Sequence, residues 1–580
     1  MTKVLISRVC QYALAKIARI ASSWSRGRSD SKHPNPRRRY AGPGVVICAL
    51  SAVGIVSCGG GNDSAPVVAG EQLTAAAISC DGVRALQLPN VEITAAQAVP
   101  AGTYQPAGST TAFTDLPAFC RVTANLMPVS GSKIGMELWL PTTAWNGRYQ
   151  QLGQNGWGTA FSSYWGSMAP HLRTGYAIAI TDGGHTATAV TDATWAIGFP
   201  ERVIDFAYRA THETAVASKA IIRGYYAKAA SYAYFNGVST GGRDGLMSAQ
   251  KFPTDFNGVL AGSALINWTR VATFKLFASQ QLVKVGIQGT LGTSLLNLAR
   301  RSAIAACDAS DGATDGIMRD PRSCHWDPHS MLCAAGQDPS TCFMAAQADA
   351  LTNVLSPLRD PVTSEYVYPG YLHGFETDWI GFGYVNATPA HAATVYKIAL
   401  GNAAWDASTF NVHTDLPVVE TALGFMNADQ QTDLSAFRQA GGKLIEYHGW
   451  QDAVTMPERI VQYYDEVRDS TSGGDRAAQQ SFYRLFMMSG VGHGGAGEGP
   501  WHFGAIAQQT VANDPEHDAV RALRNWVESG TAPEKFVATK FQNDDVTKPI
   551  SLQRPLCPYP SQPVYKGTGD TNVASNFSCG

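Results

Sequence analysis

The sequence predicts an α/β fold in which a largely parallel sheet is interrupted by an inserted second domain. Apolar, β-branched runs bounded by turn residues indicate strands at 135–140, 148–152, 176–181, 232–237, 258–261, 443–447 and 482–488. Helical spacing of apolar residues between several runs, clearest over 201–229, indicates helices covering both faces of the sheet. Residues 266–431 lack this rhythm of strands, which resumes at Lys443, so we expect an insertion between two parts of one core.

The composition is that of a folded protein with no nucleic-acid partner. Of the 580 residues, 45% are hydrophobic and 16% are charged, which is enough apolar material for a substantial core and more than one domain. Ten of the 44 Lys and Arg residues, but only one of the 46 acidic residues, lie in positions 1–39. The rest of the chain is therefore mildly acidic, and it has no basic patch interleaved with aromatic residues.

The N-terminal region indicates export. A basic cluster ending at Arg39 precedes the uncharged run 44–57, which is too short to span a bilayer and suits the apolar region of a signal peptide. The run ends in Ile-Val-Ser-Cys58 and is followed by three glycines, which resembles a bacterial lipobox with Cys58 as the lipidated residue. We expect a leader and signal peptide over 1–57 and a tether over 58–74.

This interpretation predicts that the mature protein is periplasmic, attached to the outer membrane through a lipid anchor, or secreted. The alternative is ordinary cleavage of a signal peptide, in which Cys58 has no role. The distance of residues 1–36 from the apolar run leaves open an extended leader or a start assigned too far upstream.

The cysteines agree with an oxidising compartment. Eight of the eleven follow Cys58, and an even number suits disulfides in an exported protein. The sequence alone leaves their pairing open. It contains neither a Cys-x-x-Cys nor a His-Glu-x-x-His motif, so we expect no zinc site.

The segment Gly237-Val-Ser-Thr-Gly241 lies between a predicted strand and a predicted helix. In a nucleophile elbow, small residues permit a strained turn that lifts a serine hydroxyl above the sheet at a helix N-terminus. Ser239 is therefore the candidate nucleophile. The alternative is a Gly-rich turn whose serine caps the helix.

A serine nucleophile needs a histidine base and an acid that orients it. Asp452 follows the strand predicted at 443–447, and His493 lies in a Gly-rich loop after the next strand. The chain order Ser239, Asp452, His493 is that of the α/β-hydrolase triad. His448 competes as the base, but its place four residues before Asp452 favours a residue that lines the site or pins the loop.

Two backbone N–H groups are candidates for an oxyanion hole. One belongs to Thr240, directly after the nucleophile. The other is that of Gly156, in the Gly-rich segment 153–158 after an early strand. For Gly156 the alternative is a plain turn.

Together these features resemble the tannase and feruloyl esterase family, which includes a bacterial mono(2-hydroxyethyl) terephthalate hydrolase. The resemblance covers nearly all of residues 75–580. The motifs that carry it are Trp145-Asn-Gly-Arg148, Thr181-Asp-Gly-Gly-His185, Gly237-Val-Ser-Thr-Gly-Gly-Arg243, Phe256-Asn-Gly-Val-Leu-Ala-Gly262, Tyr447-His-Gly-Trp-Gln-Asp452, Gly490-Val-Gly-His493 and Arg554-Pro-Leu-Cys-Pro-Tyr559.

The resemblance implies an α/β-hydrolase fold with an inserted lid domain. The core would comprise 75–265 and 432–580, and the lid 266–431. The family also implies the triad Ser239, Asp452 and His493, an oxyanion hole at Gly156 and Thr240, and four disulfides. These are Cys80 to Cys120, Cys307 to Cys324, Cys333 to Cys342 and Cys557 to Cys579.

The lid carries a candidate structural calcium site. Carboxylates spaced through a tight, Gly-containing loop suit a hard cation that takes six to eight oxygen ligands. The resemblance implies the side chains of Asp308, Asp311 and Asp315 with the carbonyls of Ala313 and Ile317 as ligands. The alternative is aspartates that cap turns.

The sequence departs from the family that it resembles at the residue before the nucleophile. Most relatives carry a disulfide between the residue before the nucleophile and the residue after the base, but these positions are Val238 and Gly494 here. Since both cysteines are absent together, no free thiol is left beside the site. We expect packing around Val238 and the Gly494-Gly495 loop to position His493.

A second departure concerns the substrate. The terephthalate-ester enzyme holds a free carboxylate with a lid arginine, but no arginine lies between Arg359 and Arg438. Trp379, Phe382 and Tyr384 offer aromatic surface, which favours phenolic esters. The alternatives are that these rings form lid core and that Lys397 binds a carboxylate.

The sequence thus predicts a serine carboxylic ester hydrolase that cleaves esters of hydroxycinnamic, gallic or related aromatic acids through an acyl-enzyme. We expect a monomer with a small aromatic ester as substrate, structural calcium, and membrane contact only through the anchor. The alternatives are terephthalate monoester hydrolysis, acyl transfer to an alcohol, and a non-catalytic surface lipoprotein that binds ligands.

Overall fold

The computed structural model of the protein describes residues 74–158, 160–187, 189–381 and 389–580. The strands, numbered in chain order, are β1 Val91–Val99, β2 Gly102–Tyr104, β3 Phe113–Leu116, β4 Phe119–Leu126, β5 Ile134–Pro141, β6 Arg148–Leu152, β7 Ala177–Thr181, β8 Tyr232–Val238, β9 Gly258–Gly262, β10 Leu358–Arg359, β11 Tyr366–Tyr368, β12 Lys443–Gly449, β13 Tyr483–Met488, β14 Phe536–Phe541, β15 Ile550–Leu556, β16 Pro563–Tyr565 and β17 Phe577–Cys579.

Helices lie between many of these strands, with short 3₁₀ turns at several junctions. The helices are α1 Trp165–Arg173, α2 Pro200–Ile204, α3 Ala210–Tyr226, α4 Thr240–Lys251, α5 Trp268–Lys284, α6 Gly289–Cys307, α7 Ala345–Leu355, α8 Asp378–Gly381, α9 Ala390–Leu400, α10 Val412–Leu423, α11 Ser435–Gln439, α12 Pro457–Ser472, α13 Arg476–Gln480 and α14 Ala519–Ser529. The helix predicted over 201–229 is observed as α2 and α3, joined by a π-helical turn at Asp205–Arg209.

One sheet of nine described strands, in the order β1-β4-β5-β7-β6-β8-β9-β12-β13, organises the core. Strands β7, β6, β8, β9, β12 and β13 run parallel. Strands β1, β4, β5 and β7 pair antiparallel. The seven predicted strands and the α/β class are confirmed, but the prediction omits β1 and β4. Edge strand β1 has several exposed residues and contains Glu and Ala, types that are depleted in strands.

The central strands are apolar because helices cover both faces of the sheet. Every residue of β7 and of β9 is buried, which is typical of parallel strands and explains their continuous apolar sequences. Since parallel strands end at one edge of the sheet, the segments after β8, β12 and β13 come together there. These segments carry Ser239, Asp452 and His493.

Residues 266–431 differ from the rest of the core. They contain helices α5 to α10 and contribute no strand to the large sheet within their described part; β10 and β11 pair only with each other. The apolar faces of these helices join a cluster that also includes core residues such as Trp157 and Phe206. The exact boundaries of a lid domain stay a prediction.

Four disulfides connect the cysteines as the family resemblance implies. They join Cys80 to Cys120, Cys307 to Cys324, Cys333 to Cys342 and Cys557 to Cys579. The leader, Cys58 and the tether up to residue 73 lie outside the described residues. Among the described helices, none is long and apolar enough to cross a membrane.

One buried carboxyl in the sheet generates a testable pH dependence. Glu446 of β12 is fully buried and accepts a hydrogen bond from the Tyr483 hydroxyl. Burial raises the pKa of Glu446 from 4.5 to about 8. The folded protein therefore holds a proton that the unfolded chain releases above pH 4.5, so this group lowers the free energy of unfolding as the pH rises through that window.

We predict that Glu446→Gln stabilises the protein at pH 8 relative to wild type, and that this gain shrinks as the pH falls toward 5, by up to about 1.4 kcal/mol per pH unit. Thermal unfolding at several pH values measures the gain. The exposed Glu365→Gln is the control. An equal effect of Glu446→Gln at all pH values would show that Glu446 is ionised in the folded protein.

Candidate active site

Ser239 lies on a sharp turn between β8 and α4. Its backbone angles, φ 64° and ψ −121°, belong to a conformation that non-glycine residues rarely adopt. The glycines on both sides permit this turn, because a Cβ on Gly237 would lie 2.5 Å from the backbone of Gly241. The elbow predicted from the sequence is thus present in the backbone.

His493 lies between Ser239 and Asp452. Its Nε2 is 2.8 Å from the Ser239 hydroxyl oxygen, and its Nδ1 is 2.8 Å from Oδ2 of Asp452. In the His493 tautomer that fits these two hydrogen bonds, Nδ1–H donates to the carboxylate and Nε2 accepts from the serine. The predicted nucleophile, base and acid are therefore within hydrogen-bonding distance in the order that acyl transfer requires.

Asp452 is held in its ionised form. Oδ1 accepts hydrogen bonds from the N–H groups of Val454 and Thr455, at 2.7 and 2.9 Å. Burial alone would raise the pKa of Asp452, but His493, His448 and these hydrogen bonds outweigh it and lower the pKa to about 2. A carboxylate that stays charged can orient His493 and stabilise its protonated form.

His448 was expected to line the substrate site, but the structure places it behind the acid. Its side chain is fully buried, its Nε2 lies 3.1 Å from the carbonyl oxygen of Thr455 and 3.3 Å from Oδ2 of Asp452, and it does not line the cavity described below. Burial lowers the pKa of His448. It therefore pins the Asp452 loop, the second of the two roles that the sequence allows.

The two residues predicted to donate to the oxyanion line one cavity, which is described below. Gly156 and Thr240 both line it, and the Thr240 hydroxyl donates to the Gly156 carbonyl at 2.6 Å. Neither backbone N–H donates to an acceptor among the described residues. Gly156 has φ +50°, and a Cβ there would lie 2.3 Å from the Val190 carbonyl oxygen, so this position requires glycine.

His185 contacts the residue that follows Gly156, and this contact was not predicted from the sequence. Its Nε2 lies 2.6 Å from the carbonyl oxygen of Trp157, and its ring stacks on Trp195 at 3.5 Å between centroids. Burial lowers the pKa of His185 to about 4, so the neutral ring donates through one nitrogen. The Thr181-Asp-Gly-Gly-His185 motif was the available signal.

A cavity of about 720 Å³ opens at Ser239. Apolar side chains form most of its wall, including Trp157 and Trp268, whose rings lie 4.2 Å apart. Lys275 of α5 also lines it and is 1% exposed; its ammonium group donates to the Tyr371 hydroxyl at 3.0 Å and to the Ala453 carbonyl. An apolar cavity of this size can hold a small organic ligand.

Trp379, which was predicted to contact the substrate, does not line this cavity. Trp379 is 1% exposed and stacks on Tyr371 at 4.2 Å, so it is lid core and not substrate surface. Phe382 and Tyr384 lie outside the described residues. Lys397 does not line the cavity.

Val238 and Gly494 lie against each other. A Cβ on Gly494 would be 3.2 Å from a methyl carbon of Val238, and the Gly494 N–H donates to the Ser263 hydroxyl at 3.0 Å. Both residues line the cavity. The valine methyl groups therefore occupy the space between the nucleophile turn and the base loop, where relatives are expected to carry a disulfide.

The predicted calcium loop presents a mixed picture. Oδ1 of Asp308 is buried with no hydrogen-bond partner, which fits a bound cation. The other carboxylate oxygens accept from loop N–H groups, Asp315 pairs with Arg554 at 2.9 Å, and no three acidic, His or Cys side chains among the described residues are grouped to hold a metal. The set Asp308, Asp311, Ala313, Asp315 and Ile317 therefore stays a prediction.

The sheet order, the strained serine turn and the Ser-His-Asp arrangement define an α/β-hydrolase. A family model for tannase and feruloyl esterase matches residues 120–580. An uncharacterised esterase of Xanthomonas campestris pv. campestris is 37% identical over 542 residues, covering 88% of this chain and 93% of that protein. A probable feruloyl esterase B-2 of Aspergillus terreus is 31% identical over 502 residues, covering 85% and 93%.

Among solved structures, feruloyl esterase B from Aspergillus oryzae superposes with a TM-score of 0.79 at 29% identity, covering 86% of this chain and 99% of that one. The chain belongs to the tannase and feruloyl esterase family. The protein is a carboxylic ester hydrolase.

We predict that Val238→Cys combined with Gly494→Cys forms a disulfide, because the two side-chain positions are adjacent. Thiol titration and a non-reducing peptide map measure the cross-link, with Val238→Cys alone as the control that retains its thiol. Two free thiols in the folded double variant would contradict the proximity of the two loops.

If the Asp308 loop binds calcium, adding calcium to the chelator-treated protein should raise the Tm. At a calcium concentration of 100 times the Kd, the free energy of unfolding should increase by about 2.7 kcal/mol. Asp308→Asn should remove this response, whereas the exposed lid variant Asp327→Asn should keep it. A Tm independent of calcium in the wild-type protein would show that the aspartates cap turns.

Proposed function

We propose that the protein is a serine esterase that cleaves esters of hydroxycinnamic, gallic or related aromatic acids through an acyl-enzyme intermediate. The observation that carries the proposal is the series of hydrogen bonds from Ser239 through His493 to Asp452, with Ser239 and His493 in the wall of the apolar cavity. The names of the relatives support an aromatic acyl group.

In the first half-reaction, His493 takes the Ser239 proton as the hydroxyl oxygen attacks the ester carbonyl carbon. The resulting oxyanion receives hydrogen bonds from the N–H groups of Gly156 and Thr240. His493 then gives its proton to the leaving alcohol, and the C–O bond to the alcohol breaks.

In the second half-reaction, His493 takes a proton from water, whose oxygen attacks the acyl-enzyme. Collapse of the second tetrahedral intermediate returns the proton to Ser239 and releases the aromatic acid. Asp452 stays ionised throughout and stabilises the positive charge on His493.

We further propose that the protein acts outside the cytoplasm. Its four disulfides support this location, since such bonds persist in oxidising compartments. The predicted signal peptide would bring it there, and lipidation of Cys58 would anchor it to a membrane.

Ser239→Ala tests the proposal. We predict a loss of at least about 10³-fold in kcat for methyl ferulate, methyl gallate and p-nitrophenyl esters, with an unchanged Tm, because the nucleophile is removed without altering the core. Ser294→Ala, at a partly exposed position of α6 outside the cavity wall, is the matched control. Retained turnover in Ser239→Ala would remove this residue from its proposed role.

A panel of esters distinguishes the substrate classes. We expect wild-type kcat/KM to be higher for ferulate and gallate esters than for mono(2-hydroxyethyl) terephthalate, because no arginine among the described residues lines the cavity. The opposite ranking would favour terephthalate monoesters. Failure of a fluorophosphonate to label Ser239 would favour a non-catalytic binding protein.

A further inference from the structure

The polar side chains in the cavity wall are few, and most already have a task. Ser239 and His493 belong to the catalytic chain, and the Thr240 hydroxyl donates to Gly156. Lys275 donates to Tyr371 and Ala453. These groups are held in place by protein partners before a substrate arrives.

The indole N–H groups of Trp157 and Trp268 have no hydrogen-bond partner, but they are buried and so present no accessible donor to the cavity. Three other polar side chains in the described wall remain, namely those of Asn155, Thr191 and His391. Asn155 and Thr191 are exposed, so water satisfies them. His391 is half-buried and forms no hydrogen bond or ion pair with any described residue. A half-buried imidazole with unused hydrogen-bonding capacity in an apolar wall is suited to a polar group of the ligand.

His391 begins the cavity-facing side of α9. Ala392 and Val395 of the same helix line the cavity beside it, and Val271 and Ala272 of the neighbouring helix α5 complete this apolar wall. On the side of the base, the loop from Gly494 to Ala496 lines the cavity. In the proposed mechanism the leaving oxygen lies beside His493, so the acyl group can extend toward the wall that α9 and α5 form.

The protonation state of His391 indicates which group it can bind. Burial lowers the pKa of His391, so at neutral pH its ring is uncharged, with one donor and one acceptor nitrogen. A phenolic hydroxyl also has one donor and can accept, so the two are complementary. A carboxylate would require a cation, and Lys275 is already engaged with two protein oxygens.

We propose that His391 is a specificity-determining residue that hydrogen-bonds a ring hydroxyl of the aromatic acyl group. The proposal rests on the proposed esterase function and adds to it the chemical feature of the acid that is recognised. The hydrogen bond from His391 would make the enzyme prefer esters of hydroxylated aromatic acids over otherwise identical esters that lack the hydroxyl.

The test compares methyl 4-hydroxycinnamate with methyl cinnamate, which differ only in the ring hydroxyl. His391→Phe should lower kcat/KM for the hydroxylated ester by about tenfold, the effect of losing one hydrogen bond and leaving the hydroxyl unpaired. It should change kcat/KM for methyl cinnamate by less than about twofold. His391→Asn, which keeps a donor and an acceptor, should recover part of the loss.

His413→Phe is the matched control, since His413 lies on α10, pairs with Asp360 at 2.9 Å and does not line the cavity. Its two kcat/KM values should equal those of the wild type. Equal changes for both esters in His391→Phe, or no change for either, would overturn the proposal for His391 alone.

Wild-type controls separate this proposal from the function on which it rests. Hydrolysis of p-nitrophenyl acetate that depends on Ser239, without hydrolysis of either cinnamate, would overturn the role of His391 and leave the esterase mechanism intact. Absence of any hydrolysis that depends on Ser239 would overturn both.

Discussion

The close packing of glycine backbones around Ser239 is the constraint on which the site depends. A Cβ on Gly153, after β6, would lie 2.5 Å from the Cα of Gly241, and Gly237 approaches the same residue equally closely. Strand β8, helix α4 and the loop that carries Gly156 can meet only because these positions lack side chains. The contact holds Ser239, Thr240 and the loop of Gly156 close together, and the surrounding sheet maintains the strained φ of Ser239.

The acid and the base are supported by different parts of the chain. Asp452 is held by its own loop and by His448, while Lys275 reaches from the inserted segment to the carbonyl of Ala453. The residue after His493, Gly494, lies against Val238, and the prediction that this contact positions His493 stays a prediction. Both segments follow carboxyl ends of strands in one parallel sheet, β8 and β13, and they meet above the strands β9 and β12 that lie between these two.

The sequence predicts those features that depend on local pattern and chain order. The parallel strands appear as continuous apolar runs, and the triad follows from the elbow and from polar residues after strand ends. Edge strand β1 escapes because exposed Glu and Gln obscure its pattern. Tertiary packing of the inserted helices decides which side chains line the cavity, and the sequence pattern does not reveal it. Trp379 was therefore predicted at the substrate but lies in the core, and nothing in the sequence marks His391 as a cavity residue.

The most direct test of the account is to identify the acylated residue during turnover. Rapid acid quenching of the wild-type protein with methyl 4-hydroxycinnamate, followed by proteolysis and mass spectrometry, locates the covalent acyl group. The proposed mechanism predicts a hydroxycinnamoyl ester on Ser239, formed before the steady state and lost when substrate is exhausted. Turnover with no acyl group on Ser239, or with the acyl group on another residue, would contradict it.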